Sequence, residues 1–194
     1  MEQVLSNINN IILSSSVLIK TTLIFCFSFL EGLPVIGSIF PGGTISLLVG
    51  VMSDKGMINP FYATAIITTG GFIGDMTGFL IGKKFKHLNF VKKIVQNEKH
   101  KNKWEFFDKQ IIFISIIGRI TPLVRSLPSL FAGARNINTF KYLIISLIGS
   151  FVWALGGVFG GNFLSKIAGN MSIPIIFGIL FLTIIIATIK KIFK

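Results

Sequence analysis

Four ionisable residues stand in or beside strongly apolar sequence: Glu31, Asp75, Arg119 and Arg125. On the insertion scale a charge at the centre of a bilayer costs about 2.5–3.5 kcal/mol, so two buried arginines cost about 5–7 kcal/mol unless something offsets them. One reading is structural: Arg119 or Arg125 pairs with Glu31 or Asp75, or an arginine snorkels to the interface. The other is chemical. Both guanidiniums face a watery cavity and receive a phosphate, whose oxygens match the planar guanidinium fork. Interrupted helices would add free N–H groups and a positive dipole end at the same place. Glu31 is placed either to exchange protons during coupling or gating, or to cap a helix or satisfy an arginine. Asp75 follows Gly74 inside a close-packed helix, where an unpaired carboxylate is expensive, so it needs a partner.

No nucleophile–base couple accompanies these charges. Ser126 and Ser129 lie near the arginines, but His87 and His100 fall in a lysine-rich loop, distant in sequence. The histidines have no Cys or carboxylate at metal-ligand spacing, and the single Cys26 cannot form an internal disulfide. The expectation is a non-enzyme with no metal and no cofactor.

The chain that must position these groups has 194 residues, 52% hydrophobic and 13% charged. Its mean hydropathy is +0.77. The charged fraction is about half that of a soluble domain, and a span takes about 20 apolar residues. A soluble enzyme, a disordered tail and a disulfide scaffold are excluded, leaving a small integral membrane protein. The net charge of +12 does not point to nucleic acid, because nine of the 19 basic residues fall between Lys83 and Lys109 and three more (Lys190, Lys191, Lys194) lie in the tail. That is the distribution of cytoplasmic segments beside an anionic leaflet.

Residues 11–30 read as a transmembrane helix interrupted by Lys20; no basic leader or A-x-A-like site marks a cleaved signal peptide. Residues 33–53 are apolar but broken by Pro34, Gly37, Pro41, Gly42, Gly43 and Gly50, which predicts a re-entrant hairpin. Residues 59–82 form a transmembrane helix in which Gly74, Gly78 and Gly82 give a smooth face. The basic loop 83–109 carries an amphipathic pattern at Leu88, Val91, Ile94 and Val95. A second broken stretch, 111–134, contains Gly118, Pro122, Pro128 and Gly133 and predicts a second hairpin. Transmembrane helices over 139–165 and 172–190 follow.

The order of broken segment and then Gly-rich helix thus occurs twice. Gly70, Phe72, Gly78 and Gly82 superpose on Gly149, Phe151, Gly157 and Gly161 at one constant offset. Paired Gly/Pro-interrupted segments in two halves point to a transporter built from inverted repeats. With loop 83–109 inside, both termini and Arg135 and Lys141 also fall inside, only Lys55 and Lys166 remain outside, and the hairpins enter from opposite faces. The fold expected is an all-α integral membrane bundle, one domain over 1–194, with two re-entrant hairpins facing each other. The glycine faces fit a homodimer and internal packing equally.

Specific motifs carry a resemblance. Glu31-Gly-Leu-Pro34 followed by Phe40-Pro41-Gly42, Gly74-Asp75 with Ile81-Gly82-Lys83, and Gly118-Arg119-Ile-Thr-Pro122-Leu-Val-Arg125 with Ala132-Gly133 resemble the signatures of the DedA family, the SNARE-associated or VTT-domain membrane proteins. Phe140 and Trp153 fall where that family has aromatics. The resemblance, over about residues 28–165, implies paired re-entrant hairpins and a lipid transporter of the bacterial cytoplasmic membrane. Bacterial relatives are linked to the return of undecaprenyl phosphate across the membrane, and eukaryotic relatives scramble phospholipids. Glu31, Arg119 and Arg125 are the functional residues it carries over. One departure stands out: the family commonly has an acidic residue directly after Pro-Gly in the first hairpin, and this chain has Gly43.

The expected function is therefore a lipid-phosphate flippase with Arg119 and Arg125 on the phosphate. The alternatives are a proton-coupled ion or small-solute transporter, in which Glu31 titrates, and a scaffold that recruits a partner through loop 83–109.

Overall fold

The computed structural model describes residues 17–34, 36–39, 43–87, 101–119 and 127–169. The expected helix 172–190, residues 11–16 of the first helix, the 88–95 amphipathic pattern, and Pro41, Gly42, Pro122 and Arg125 lie outside the described residues. Eight helices are described: α1 (Val17–Gly32), α2 (Ile36–Ile39), α3 (Thr44–Asp54), α4 (Pro60–Phe85), α5 (Lys101–Lys109), α6 (Ile111–Gly118), α7 (Leu127–Ala134) and α8 (Thr139–Ala168). Among the described residues every element is helical. Of these helices, α4 and α8 are long and apolar enough to cross a membrane.

Local chemistry sets the starts of the two long helices in the same way. Asn59 caps α4, its side chain accepting from the backbone N–H groups of Phe61 and Tyr62, with Pro60 in the first turn. Asn138 caps α8 by accepting from Lys141 N–H. The two caps stand at the same offset as Gly82 and Gly161.

Packing between the halves is exchanged. Helix α4 does not pair chiefly with the short α3 that precedes it but lies on α7, while α8 lies on α3. A Cβ built on Gly82 would fall 2.0 Å from the Leu130 carbonyl oxygen, and one on Gly133 would fall 2.0 Å from the Phe79 oxygen and 2.8 Å from Lys83 N. The second crossing repeats the first: a Cβ on Gly161 would fall 2.0 Å from the Leu47 oxygen, and one on Gly50 would fall 2.2 Å from the Val158 oxygen and 2.8 Å from Asn162 N. Each atom of one crossing thus has its counterpart in the other. Two backbones approach this closely only where glycine omits the side chain. Helix α1 uses the same device, with Gly70 against the Phe25 carbonyl and Gly74 against those of Phe29 and Gly32. Gly70, Gly74 and Gly82 of α4 and Gly161 of α8 are thus occupied by contacts within the chain.

Two apolar clusters fill the remaining interior. Ile24, Val49, Ala63, Ile67, Ala154 and Val158 pack where α1, α3, α4 and α8 meet. Phe79, Phe107, Ile111, Ala132, Tyr142 and Ile145 pack where α4, α5, α6, α7 and α8 meet, with Phe79 stacked on Tyr142 at 4.7 Å between ring centroids. The outer surface is apolar too, with Leu18, Phe61, Phe140, Phe163 and Ile167 among many exposed large side chains. Among the described residues fourteen polar or charged ones are buried, Ser28, Glu31, Asp75, Arg119 and Ser146 included. Greasy outside and polar at selected points inside is the arrangement a bilayer requires.

Candidate functional site

Helix α4 carries Asp75 midway along its length, and α6 ends just before Arg119. The two meet in a buried ion pair between Arg119 Nη2 and Asp75 Oδ2, with side-chain exposures of 5% and 9%. Ser146 of α8 completes the contact. Its hydroxyl donates to Asp75 Oδ2 at 3.0 Å, and its backbone carbonyl accepts from Arg119 Nη2 at 3.3 Å. Three elements converge on one charge pair, whose hydrogen bonds offset part of the cost of taking two ions from water. Arg119 reaches Asp75 by running over Gly149, where a Cβ would lie 2.9 Å from Nε.

Glu31 has a different partner. It lies in the last turn of α1, 2% exposed, and its Oε1 accepts from Gly43 N–H at 2.6 Å. Gly43 immediately precedes α3, so the Glu31 carboxylate sits at that helix's positive end and caps it from another element. Gly43 adopts φ +84°, and a Cβ there would lie 2.7 Å from the Trp153 ring. Both the backbone conformation and the indole therefore disfavour any side chain at this position.

These two centres border one cavity of about 330 Å³, lined by Gly43, Ser46, Leu47, Arg119, Trp153 and Gly156 among others. Its walls are mostly apolar, and α3 presents its N-terminal turn there. Arg119, paired with Asp75, lies on the wall of this space, and Leu47 and Trp153 offer hydrocarbon contact.

Of the residues singled out from sequence, Glu31, Gly43, Asp75 and Arg119 gather around this cavity or its borders. Pro34 packs against α4, 2.8 Å from a Cβ built on Gly78, and Pro128 is buried in α7. Ser146, the Asn59 and Asn138 caps, and the Trp153–Gly43 contact were not singled out. The caps had a readable sign, an Asn before each long apolar run with Pro60 behind the first. Ser146 had none, since a serine in an apolar helix gives no hint of what lies across from it.

A second polar contact lies at the α5 end. Arg135 pairs with Asp108 through both Nε and Nη2, and hydrogen bonding to that carboxylate raises the guanidinium pKa above its ordinary value. Trp104 and Phe131 meet edge to face at 5.3 Å beside it, anchoring α5 on α7. Exposed Lys83 and half-buried Lys86 reach Thr139 and Asn136 across the α7–α8 turn. Among the described residues no cluster of His, Cys, Asp or Glu is able to hold a metal.

Comparison with known proteins adds to this geometry. The sequence profile of the VTT domain matches residues 40–163. An uncharacterized membrane protein of Buchnera aphidicola is 31% identical over 131 residues, covering 65% of this chain and 50% of that protein. The inner membrane protein YohD of Escherichia coli is 30% identical over 125 residues, covering 62% of this chain and 63% of YohD. Undecaprenyl phosphate transporter A of Staphylococcus aureus is 28% identical over 159 residues, covering 76% of this chain and 75% of that protein. The chain thus spans half the length of the Buchnera relative and more of the other two. No solved structure matches the chain significantly.

Proposed function

The chain belongs to the VTT-domain family of membrane proteins, also called DedA, and on that basis we propose that it is a transporter moving a lipid with a phosphate headgroup across the cytoplasmic membrane. Undecaprenyl phosphate is the first candidate and a phospholipid the second. The observation that carries this reading is a buried arginine, Arg119, bordering a cavity whose walls are mostly apolar. A pocket of this kind matches a ligand with one anionic group and a hydrocarbon body. The naming of one relative as an undecaprenyl phosphate transporter supports the same choice.

In this reading the headgroup phosphate engages Arg119, with Arg125 as the second guanidinium, and the tail remains in lipid. Asp75 then has a defined role. It neutralises Arg119 while no phosphate is present and yields part of the guanidinium's donor set when one arrives. Glu31, bound to Gly43 N–H, ties α1 to the start of α3 and is the group we assign to proton coupling or gating. The segments 33–53 and 111–134 act as re-entrant hairpins approaching from opposite faces. Both termini and loop 83–109 are cytoplasmic. The exchanged, offset-matched packing of α4 on α7 and α8 on α3 supports alternation by rocking one half against the other.

A second reading draws on the ion pair itself. Because Arg119 already has Asp75, the pair is also what a proton-coupled small-solute transporter would need as fixed structure, with Glu31 titrating. The two separate in proteoliposomes. Phosphate-lipid movement that depends on Arg119 and Arg125 supports the flippase. Solute uptake that follows Glu31 and pH, with no lipid movement, supports the second reading.

A further inference from the structure

Trp153 breaks the match between the two halves beside the cavity. The two glycine crossings relate α4 to α8 by a shift of 79 residues, as Gly82 to Gly161, and α3 to α7 by a shift of 83, as Leu47 to Leu130. The interior obeys the same shifts. Phe79, Ala132, Tyr142 and Ile145 of one apolar cluster correspond to Val158, Val49, Ala63 and Ile66 of the other. Two serine contacts do so as well, since a Cβ on Gly78 would strike the Ser129 hydroxyl and one on Gly157 the Ser46 hydroxyl. By these shifts Gly70 and Gly74 of α4 correspond to Gly149 and Trp153 of α8, and α6 corresponds to the stretch from Ser28 onward that ends α1.

The occupants of these positions differ. On α4 the backbone of α1 lies directly on the glycines: a Cβ at Gly70 would fall 2.8 Å from the Phe25 oxygen, and one at Gly74 would fall 2.8 Å from Gly32 Cα. On α8 the nearest neighbour of Gly149 is instead the Arg119 side chain, with Nε 2.9 Å from a built Cβ. One turn further on, about 6 Å along the axis, stands an indole. A single methyl at position 74 would already overlap the α1 backbone, so α6 cannot approach Trp153 as α1 approaches Gly74. The Trp153 ring reaches to Gly43 at the start of α3, and together with Ile116 of α6 and Arg119 it lines the cavity.

We propose that Trp153 is a wedge that keeps α6 from closing on α8, and that the cavity it holds open is the chamber for the phosphate and first carbons of the lipid. This rests on the phosphate-lipid reading above and names the residue that sets the width of the chamber. A phosphate held at Arg119 places its adjoining carbons against the indole, one helical turn away. Arg119 supplies the charge, and Trp153 supplies the spacing and the wall that the carbon chain touches.

The test uses the full chain with Cys26→Ser and spin labels on Ile112→Cys of α6 and Leu155→Cys of α8, both exposed among the described residues. Binding of geranyl phosphate, a phosphate monoester on a two-isoprene chain, is followed in detergent. Trp153→Gly is expected to shorten the distance between the labels by about 2 Å or more and to weaken geranyl-phosphate binding by about tenfold or more. Trp153→Phe is expected to keep the distance and to stay within about threefold of wild-type affinity. If Trp153→Gly does not fold, Trp153→Ala carries the comparison, with a smaller shortening in the same direction. Wild-type spacing in a folded small variant overturns the wedge. Shortened spacing with wild-type affinity overturns the chamber. A wild type that binds no phosphate ester, in a protein whose spacing still responds to Trp153→Gly, overturns the phosphate-lipid reading and supports the wedge alone.

Discussion

Asp75 on α4 holds Arg119 at the end of α6 across 44 residues of chain, and Ser146 of α8 hydrogen-bonds to both. A charge pair fixed by three elements does two things at once. It makes an arginine tolerable among apolar helices, and it keeps a strong anion donor beside a cavity. Which of these matters for function is decided by separating stability from transport.

Arg119→Ala leaves Asp75 buried without its cation, which costs about 3–5 kcal/mol. The double variant Asp75→Asn with Arg119→Gln removes both charges and is expected to recover most of that loss, because neutral replacements of a buried pair are often tolerated. Melting in detergent reads the recovery. A double variant as unstable as Arg119→Ala would show that the pair is not the main interaction of Arg119.

Glu31 separates in the same manner. Glu31→Gln keeps an oxygen to accept from Gly43 N–H, whereas Glu31→Ala leaves that donor without its side-chain acceptor, at a cost of about 1–3 kcal/mol. The expected order of melting temperature is wild type, then Gln close behind, then Ala well below. If Ala melts with wild type, Glu31 does not cap α3 in the folded protein.

Restoring an acid at position 43 is expected to fail as a single change. Gly43→Asp meets both a left-handed backbone and the Trp153 ring, so it lowers stability by about 1–3 kcal/mol. Adding Trp153→Ala is expected to return part of the loss by clearing the ring, leaving the backbone contribution. Thermal melting of the three variants measures the coupling, and simple additivity would contradict the contact.

The two helix crossings give a paired prediction. Gly82→Ala and Gly161→Ala each drive a methyl to within van der Waals overlap of a backbone oxygen, so each destabilises by about 1–3 kcal/mol or more. Among the described residues Gly160→Ala meets only Leu47, at 3.7 Å, and it is expected to be neutral or to stabilise by up to about 1 kcal/mol. Equal effects at positions 160 and 161 would contradict the crossing of α8 on α3.

Much of this was legible in the sequence because bilayer physics is severe. Charges at Glu31, Asp75 and Arg119 stand out against apolar sequence, and Gly43 and Gly118 announce breaks in it, at the start of α3 and the end of α6. The pairing of the charges was less legible. Periodicity places Asp75 on a helix but does not say which arginine crosses it, and Ser146 is one of three serines in α8. The exchange of partners between halves, α4 with α7 and α8 with α3, depends on contacts between distant segments. Sequence offset alone hinted at the equivalence of Gly82 and Gly161 without saying what each touches. Gly43 stands out in the sequence as a departure from the motif it resembles, and the structure adds a left-handed backbone and the Trp153 ring that both disfavour a side chain there.

The most direct test is undecaprenyl-phosphate movement in proteoliposomes by wild type and by the charge-neutral Asp75→Asn, Arg119→Gln variant, both shown to be folded by melting. The account predicts movement by wild type and its loss in the variant. Movement by the variant at the wild-type rate would contradict a phosphate site at Arg119.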